Sequence, residues 1–125
     1  MVAMSRYNVT AMWEYLRSLL MSIAHRITGG ALYMSMLIFT VFLISLTMGE
    51  KYYALYSFIA GSWLGKLAII GITWAIFHHM FGGIRHFIWD TGRGFEIKTV
   101  DQLAALSLFG GIILTILYWL IFYIT

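Results

Sequence analysis

The chain has 125 residues, of which 62% are hydrophobic, 18% aromatic and only 10% charged, with a formal net charge of +3. An ordinary soluble domain carries about a quarter charged residues, and a water-exposed globule of this length has too little interior to hide so much apolar surface. Disorder needs the opposite composition, and the absence of cysteine removes disulfides, iron–sulfur ligation and thiolate metal sites within the chain.

In chain order, residues 1–18 come first. Arg6, Glu14 and Arg17 interrupt them before any sustained apolar run, which argues against a cleaved signal. They are expected to lie at the membrane interface through Tyr7, Trp13 and Tyr15. A first span follows over about 19–48, with an uncharged centre from Ile27 to Met48. A loop from Gly49 to Ser62 leads to a second span over 63–89, whose uncharged centre, Leu67 to Ile84, is bounded by Lys66 and Arg85. Gly92 and Gly94 read as turn residues in a second loop, Thr91 to Gln102, and a third span covers 103–125. Each stretch approaches or exceeds the ~20 residues that cross a hydrocarbon core as helix, and none alternates as a barrel strand does. The predicted fold is an all-α membrane protein with three transmembrane helices forming a single domain.

The basic residues set the expected orientation. Arg6, Arg17, Arg26, Arg93 and Lys98, with Arg85 close by, fall on the side shared by the N-terminus and the second loop. Only Lys51 and Lys66 fall on the other side. The positive-inside rule therefore places the N-terminus in the cytoplasm, or in the matrix for a mitochondrial protein. Scattered at the ends of apolar runs, these cations suit lipid headgroups rather than nucleic acid.

Polar groups within the spans are costly and point to function. All four histidines belong to two clusters: Ser22, His25 and Arg26 at the start of span one, and His78, His79, Arg85, His86 and Asp90 at the end of span two. Both clusters face the same leaflet. His79, Gly83, His86 and Asp90 share one helical stripe, while His78, Gly82, Arg85 and Trp89 share the next. At 1.5 Å rise per residue His79 lies about 16 Å below Asp90, near mid-membrane. A neutral imidazole at that depth suits haem iron, with Gly83 leaving room for a flat macrocycle. Spacing alone fits equally well a helix-to-helix hydrogen bond with close packing at Gly83.

The remaining polar residues also have two readings. His86 and Asp90 fit an interfacial hydrogen-bonded pair. Arg85 fits snorkelling to headgroups, or pairing with Asp90 or an anion. Arg26 and His25 can hold an anion or donate to a quinone carbonyl, with the Ser22 hydroxyl as a second donor. Equally, Arg26 can snorkel and Ser22 can bond its own helix backbone. No carboxylate lies within a span, and no nucleophile sits beside a base. Such a chain holds a cofactor or a lipophilic substrate rather than performing chemistry alone.

Two segments resemble the cytochrome b membrane-anchor subunit of succinate dehydrogenase, respiratory complex II. Ser22-Ile23-Ala24-His25-Arg26-Ile27-Thr28-Gly29 is similar to that family's S-x-x-H-R-x-[ST]-G. The run from His79 through Gly83, Arg85 and His86 to Asp90 is similar to its H-x-x-x-G-x-R-H-x-x-x-D. The continuation through Glu96 to Lys98 looks most like alphaproteobacterial and mitochondrial members. The resemblance implies that His79 is an axial ligand of haem b, with the second ligand supplied by a partner anchor subunit in a heterodimeric helix bundle. It implies haem-propionate contacts at His25 and Arg26, and ubiquinone contacts at Ser22, Ile23 and Arg26. Tyr15 occupies the family's aromatic position seven residues before the serine. Gly83, Arg85, His86 and Asp90 are the supporting residues. The family's Arg-Pro-x-Ser-Pro segment has only Ser5-Arg6-Tyr7-Asn8 as a rough counterpart, since the chain has no proline.

The implied division of labour has a flavoprotein subunit oxidise succinate and an iron–sulfur subunit conduct electrons. Ubiquinone is then reduced in the bacterial cytoplasmic or mitochondrial inner membrane, and this chain has no independent activity. The alternatives are the anchor of a quinol-oxidising fumarate reductase and a structural anchor without haem. A proton-coupled transporter subunit is disfavoured by the lack of carboxylates within the spans.

Overall fold

The computed structural model describes residues 2–125, with side chains from Val9 onward except Ile97. Tyr7, Arg6 and the stretch compared with the family's proline-rich segment therefore lie outside the described side chains. Helix α1 runs without interruption from Val2 to Met48, so the N-terminal segment and the first span form one rod. Gly49, at φ 103°, breaks it, in a region of backbone conformation that side chains other than glycine disfavour. The segment expected as an outer loop is instead a helix, α2, from Glu50 to Gly61. It lies against α1 partly through Phe42 and Tyr56, whose rings are 5.4 Å apart.

Helix α3 spans Trp63–Asp90, and the Ser62 hydroxyl caps it by accepting from the Gly65 amide at 3.2 Å. Helix α4 spans Ile97–Ile124 and starts six residues before the expected third span. The tight turn between them uses left-handed Gly92 and Gly94. The Trp89 indole donates to the Gly94 carbonyl at 3.1 Å and fastens the turn to the end of α3. Among the described residues there is no strand. The segments Val9–Met48, Trp63–Asp90 and Lys98–Ile124 are long and apolar enough to cross a membrane.

Helix α3 is central, packing most extensively on α4 and next on α1. The packing is inverted relative to a soluble protein. Among the described residues the buried set is Ala75, Gly82 and Gly111 together with Thr28, Ser45, His78, Arg85, Ser107 and Thr115, while long stretches of Leu, Ile, Phe and Met are exposed. Such a molecule is stable only where the surrounding solvent is itself apolar. On α4, Ser107, Gly111 and Thr115 recur every four residues and face α3. On α3, Ala75, His78, Gly82 and Arg85 form the buried stripe. A Cβ on Gly111 would meet the backbone N and Cα of His78 at 3.3 and 3.4 Å, so the helices approach almost backbone to backbone. The hydroxyls of Ser107 and Thr115 donate to carbonyls one turn back, at 2.9 and 2.7 Å, so neither is orphaned in the seam.

Candidate functional site

The antiparallel passage of α1 and α3 brings the two polar clusters together. His25 and His79 stack with ring centroids 4.2 Å apart and planes 4° from parallel. His86 approaches His25 at 5.2 Å and sits edge-on to Trp89 at 5.3 Å. Two glycines make this approach possible. A Cβ on Gly29 would lie 3.1 Å from Cε1 of His79, and one on Gly82 would collide with Nδ1 of His25. The close-packing glycine on α3 is therefore Gly82. Gly83, read above as a packing alternative, meets nothing within 4 Å and leaves an open face one turn from His79 toward Asp90.

The nitrogens of His79 differ. Nδ1 lies 3.4 Å from the Thr28 hydroxyl, whereas Nε2 makes no hydrogen bond among the described residues. His25 Nδ1 is buried and unpartnered. His78, one position along, turns away toward α4. It is only 1% exposed, packs on Trp74 at 4.9 Å, and leaves both ring nitrogens unpartnered.

Arg85 departs from the expectation of snorkelling. It is 4% exposed, with its guanidinium carbon 5.3 Å above the Trp89 ring and its Nε unpartnered. It faces the interior because it continues the buried stripe of α3. Asp90 is exposed, and among the described residues it forms neither the ion pair with Arg85 nor the hydrogen bond with His86 that spacing allowed.

A cavity of about 360 Å³ opens at this end between α1, α3 and α4, lined by Glu14, Arg17, Ser22, Arg85, His86 and Asp101 among others. Arg17 and Asp101 close one side with a 2.9 Å ion pair between α1 and α4. Sequence spacing could not show that pairing, because the partners are 84 residues apart. Ser22 faces this cavity. Thr28, Ser35, Thr40 and Ser45 all bond their own helix, but Ser22 makes no hydrogen bond among the described residues. The backbone-bonded alternative for Ser22 is thus not what the structure adopts. Arg26, one turn on, is exposed, as are Ile23 at 41% and Tyr15 at 67%. None of these three lines the cavity. Together with Ser22 they leave a flank of α1 unoccupied within this chain.

The fold and the cluster define a class: a polytopic helical membrane protein whose imidazoles, arginines and a free hydroxyl gather at one end of an apolar bundle. The chain belongs to the succinate dehydrogenase/fumarate reductase transmembrane subunit family, which it matches over residues 6–118. It is 30% identical over 103 residues to the succinate dehydrogenase cytochrome b556 subunit of Paracoccus denitrificans, covering 82% of this chain and 79% of that one. It is 36% identical over 99 residues to the cytochrome b556 subunit of Rickettsia felis, covering 79% and 77%. The cytochrome b560 subunit of Reclinomonas americana is 35% identical over 107 residues, covering 82% and 74%. The similarity thus reaches relatives of both alphaproteobacterial and mitochondrial type.

Proposed function

We propose that this chain is the haem-binding membrane anchor of a succinate:ubiquinone oxidoreductase, and that it forms part of the site where ubiquinone is reduced. The observation that carries the reading is the free Nε2 of His79, deep in α3, beside the open face left by Gly83. Haem b supplies a one-electron couple between the iron–sulfur subunit and the membrane. The residues present fit such a group. His79 offers one uncommitted nitrogen, and His25 and Arg26 stand within two turns of α1 to meet propionates. No other histidine of the chain opposes His79 across an open gap: His25 is stacked on it, and His78 faces α4. A second ligand to the iron would come from the partner anchor subunit, as the family resemblance implies.

Quinone reduction places negative charge on the quinone oxygens, and preorganised donors stabilise it. Ser22 has an unspent hydroxyl, and Arg26 follows it one turn later on the same face. Ile23 provides apolar contact beside them, and Tyr15 extends the stripe two turns earlier. The exposed flank that these residues form is completed by the iron–sulfur and second anchor subunits. Gly83, Arg85, His86 and Asp90 support the site: Arg85 contributes buried positive charge, and His86 packs the stacked pair against Trp89. Residues 1–18 lie at the interface on the cytoplasmic or matrix side, where the flavoprotein and iron–sulfur subunits dock. The names of the relatives above, all succinate dehydrogenase cytochrome b subunits, favour this direction over quinol-oxidising fumarate reduction.

The test is His79→Leu in the complex purified with its partner subunits. The reduced-minus-oxidised optical spectrum and the low-temperature electron paramagnetic resonance signal should lose or change the haem b features. A spectrum identical to wild type would refute the assignment, and a colourless wild-type complex would favour a purely structural anchor.

A further inference from the structure

Thr28 stands in the interior of α1 and is only 3% exposed, so no water competes for its hydroxyl. Its oxygen lies 2.9 Å from the Ala24 carbonyl, 2.9 Å from the His25 carbonyl, and 3.4 Å from Nδ1 of His79. A hydroxyl has one proton to give. Both carbonyls of the preceding turn claim it, in the back-bonding geometry that threonine favours within a helix. Toward the imidazole, the oxygen therefore presents only lone pairs.

A neutral imidazole protonated at Nε2 would set its own Nδ1 lone pair against that oxygen in a dry site. The tautomer protonated at Nδ1 donates to it instead. Gly29 completes the cradle. The Cε1 edge of the ring rests where the Gly29 Cβ would be, 3.1 Å away, while Nε2 is the farther nitrogen at 4.0 Å. We infer that Thr28 is a positioning residue for His79: its hydroxyl fixes the proton on Nδ1 and so delivers the Nε2 lone pair to the iron. The inference rests on the reading of His79 as a haem ligand. A hydrogen bond from the remote N–H of a ligating imidazole orients the ring and raises its basicity. A more basic ligand favours ferric over ferrous iron.

The experiment compares Thr28→Val, Thr28→Ser and His79→Leu in the complex purified with its partner subunits, by potentiometric titration of the haem and low-temperature electron paramagnetic resonance. Thr28→Val keeps the shape and removes the acceptor. It should move the haem midpoint upward, alter the g values and weaken haem retention by about tenfold to hundredfold. Thr28→Ser keeps the hydroxyl and should match wild type. Should Thr28→Val fail to assemble, Thr28→Ala also removes the oxygen and carries the same expectation. Assembly failure of both beside an intact Thr28→Ser overturns the inference, by assigning the hydroxyl to folding. Wild-type potential and g values in Thr28→Val overturn it too, as does an equal shift in Thr28→Ser. An unchanged spectrum in His79→Leu would instead defeat the ligand reading itself, so the two failures are distinct.

Discussion

The imidazoles of His25 and His79 lie face to face, 4.2 Å between centroids and 4° from parallel. Two imidazoles that held one iron between them would have to point their nitrogens at each other. Stacked rings present their edges side by side, so this pair would not hold one iron between them. His25→Leu should therefore leave a low-spin haem at close to wild-type content, with g values shifted because the His79 plane loses its stacked neighbour. Electron paramagnetic resonance of the purified complex checks this, and loss of the low-spin signal would make His25 a ligand.

Ser22 and Arg26 lie one turn apart on α1, the first with an unbonded hydroxyl and the second exposed. Arg26→Ala should lower succinate-to-quinone activity by roughly tenfold to hundredfold, a loss at or below the low end for removing a donor to developing charge in an enclosed site. Ser22→Ala should cost up to about tenfold, the value of one neutral hydrogen bond. In both variants succinate oxidation with an artificial acceptor should persist. Parallel loss of both activities would indicate failed assembly instead.

Much of this arrangement is legible in the sequence, for a specific physical reason. Ionisable and hydroxyl groups inside an uncharged run are conspicuous, and helical spacing sorts them into stripes; His79, Gly83, Ser22 and Arg26 were all reachable that way. Which stripe meets which helix was not. Arg85 reads as a headgroup-seeking arginine until the packing buries it on the stripe of His78 and Gly82, and Gly82 and Gly83 differ only in that one faces His25. The role of Thr28 depends on a contact across 51 residues. Helix α2 reads as a loop because it is short and none of its residues is buried. The Ser107–Gly111–Thr115 stripe does have a sequence signal, small residues every fourth position, within a span conspicuous only for lacking charge.

The Arg17–Asp101 ion pair joins α1 to α4 at the mouth of the cavity, with side chains 45% and 39% exposed. Exposed pairs are worth about 0–1 kcal/mol and are screened by salt. Asp101→Asn should therefore shift the thermal midpoint of the purified complex only slightly, and the shift should shrink as salt is raised. A large, salt-independent loss would show that partner subunits bury the pair in the complex.

Gly111 has a harder constraint. Its missing Cβ would meet the N, Cα and Cβ of His78 at 3.3, 3.4 and 3.5 Å, and the first two are backbone atoms that cannot swing aside. Gly111→Ala sets this tight contact against the gain of about 0.5–1 kcal/mol that alanine brings to a helix interior, so its net effect should be small. Gly111→Leu adds bulk with nowhere to go and should destabilise by at least the ~1–3 kcal/mol typical of overpacking, with a lower thermal midpoint and a lower yield of assembled complex. Gly71 is the control: it lies in the same helix as His78 but meets nothing within 4 Å. Gly71→Ala should leave the midpoint unchanged or raise it. If Gly111→Leu were as stable as wild type, α3 and α4 would have to separate in the assembled complex, and His78 would no longer be sealed between them.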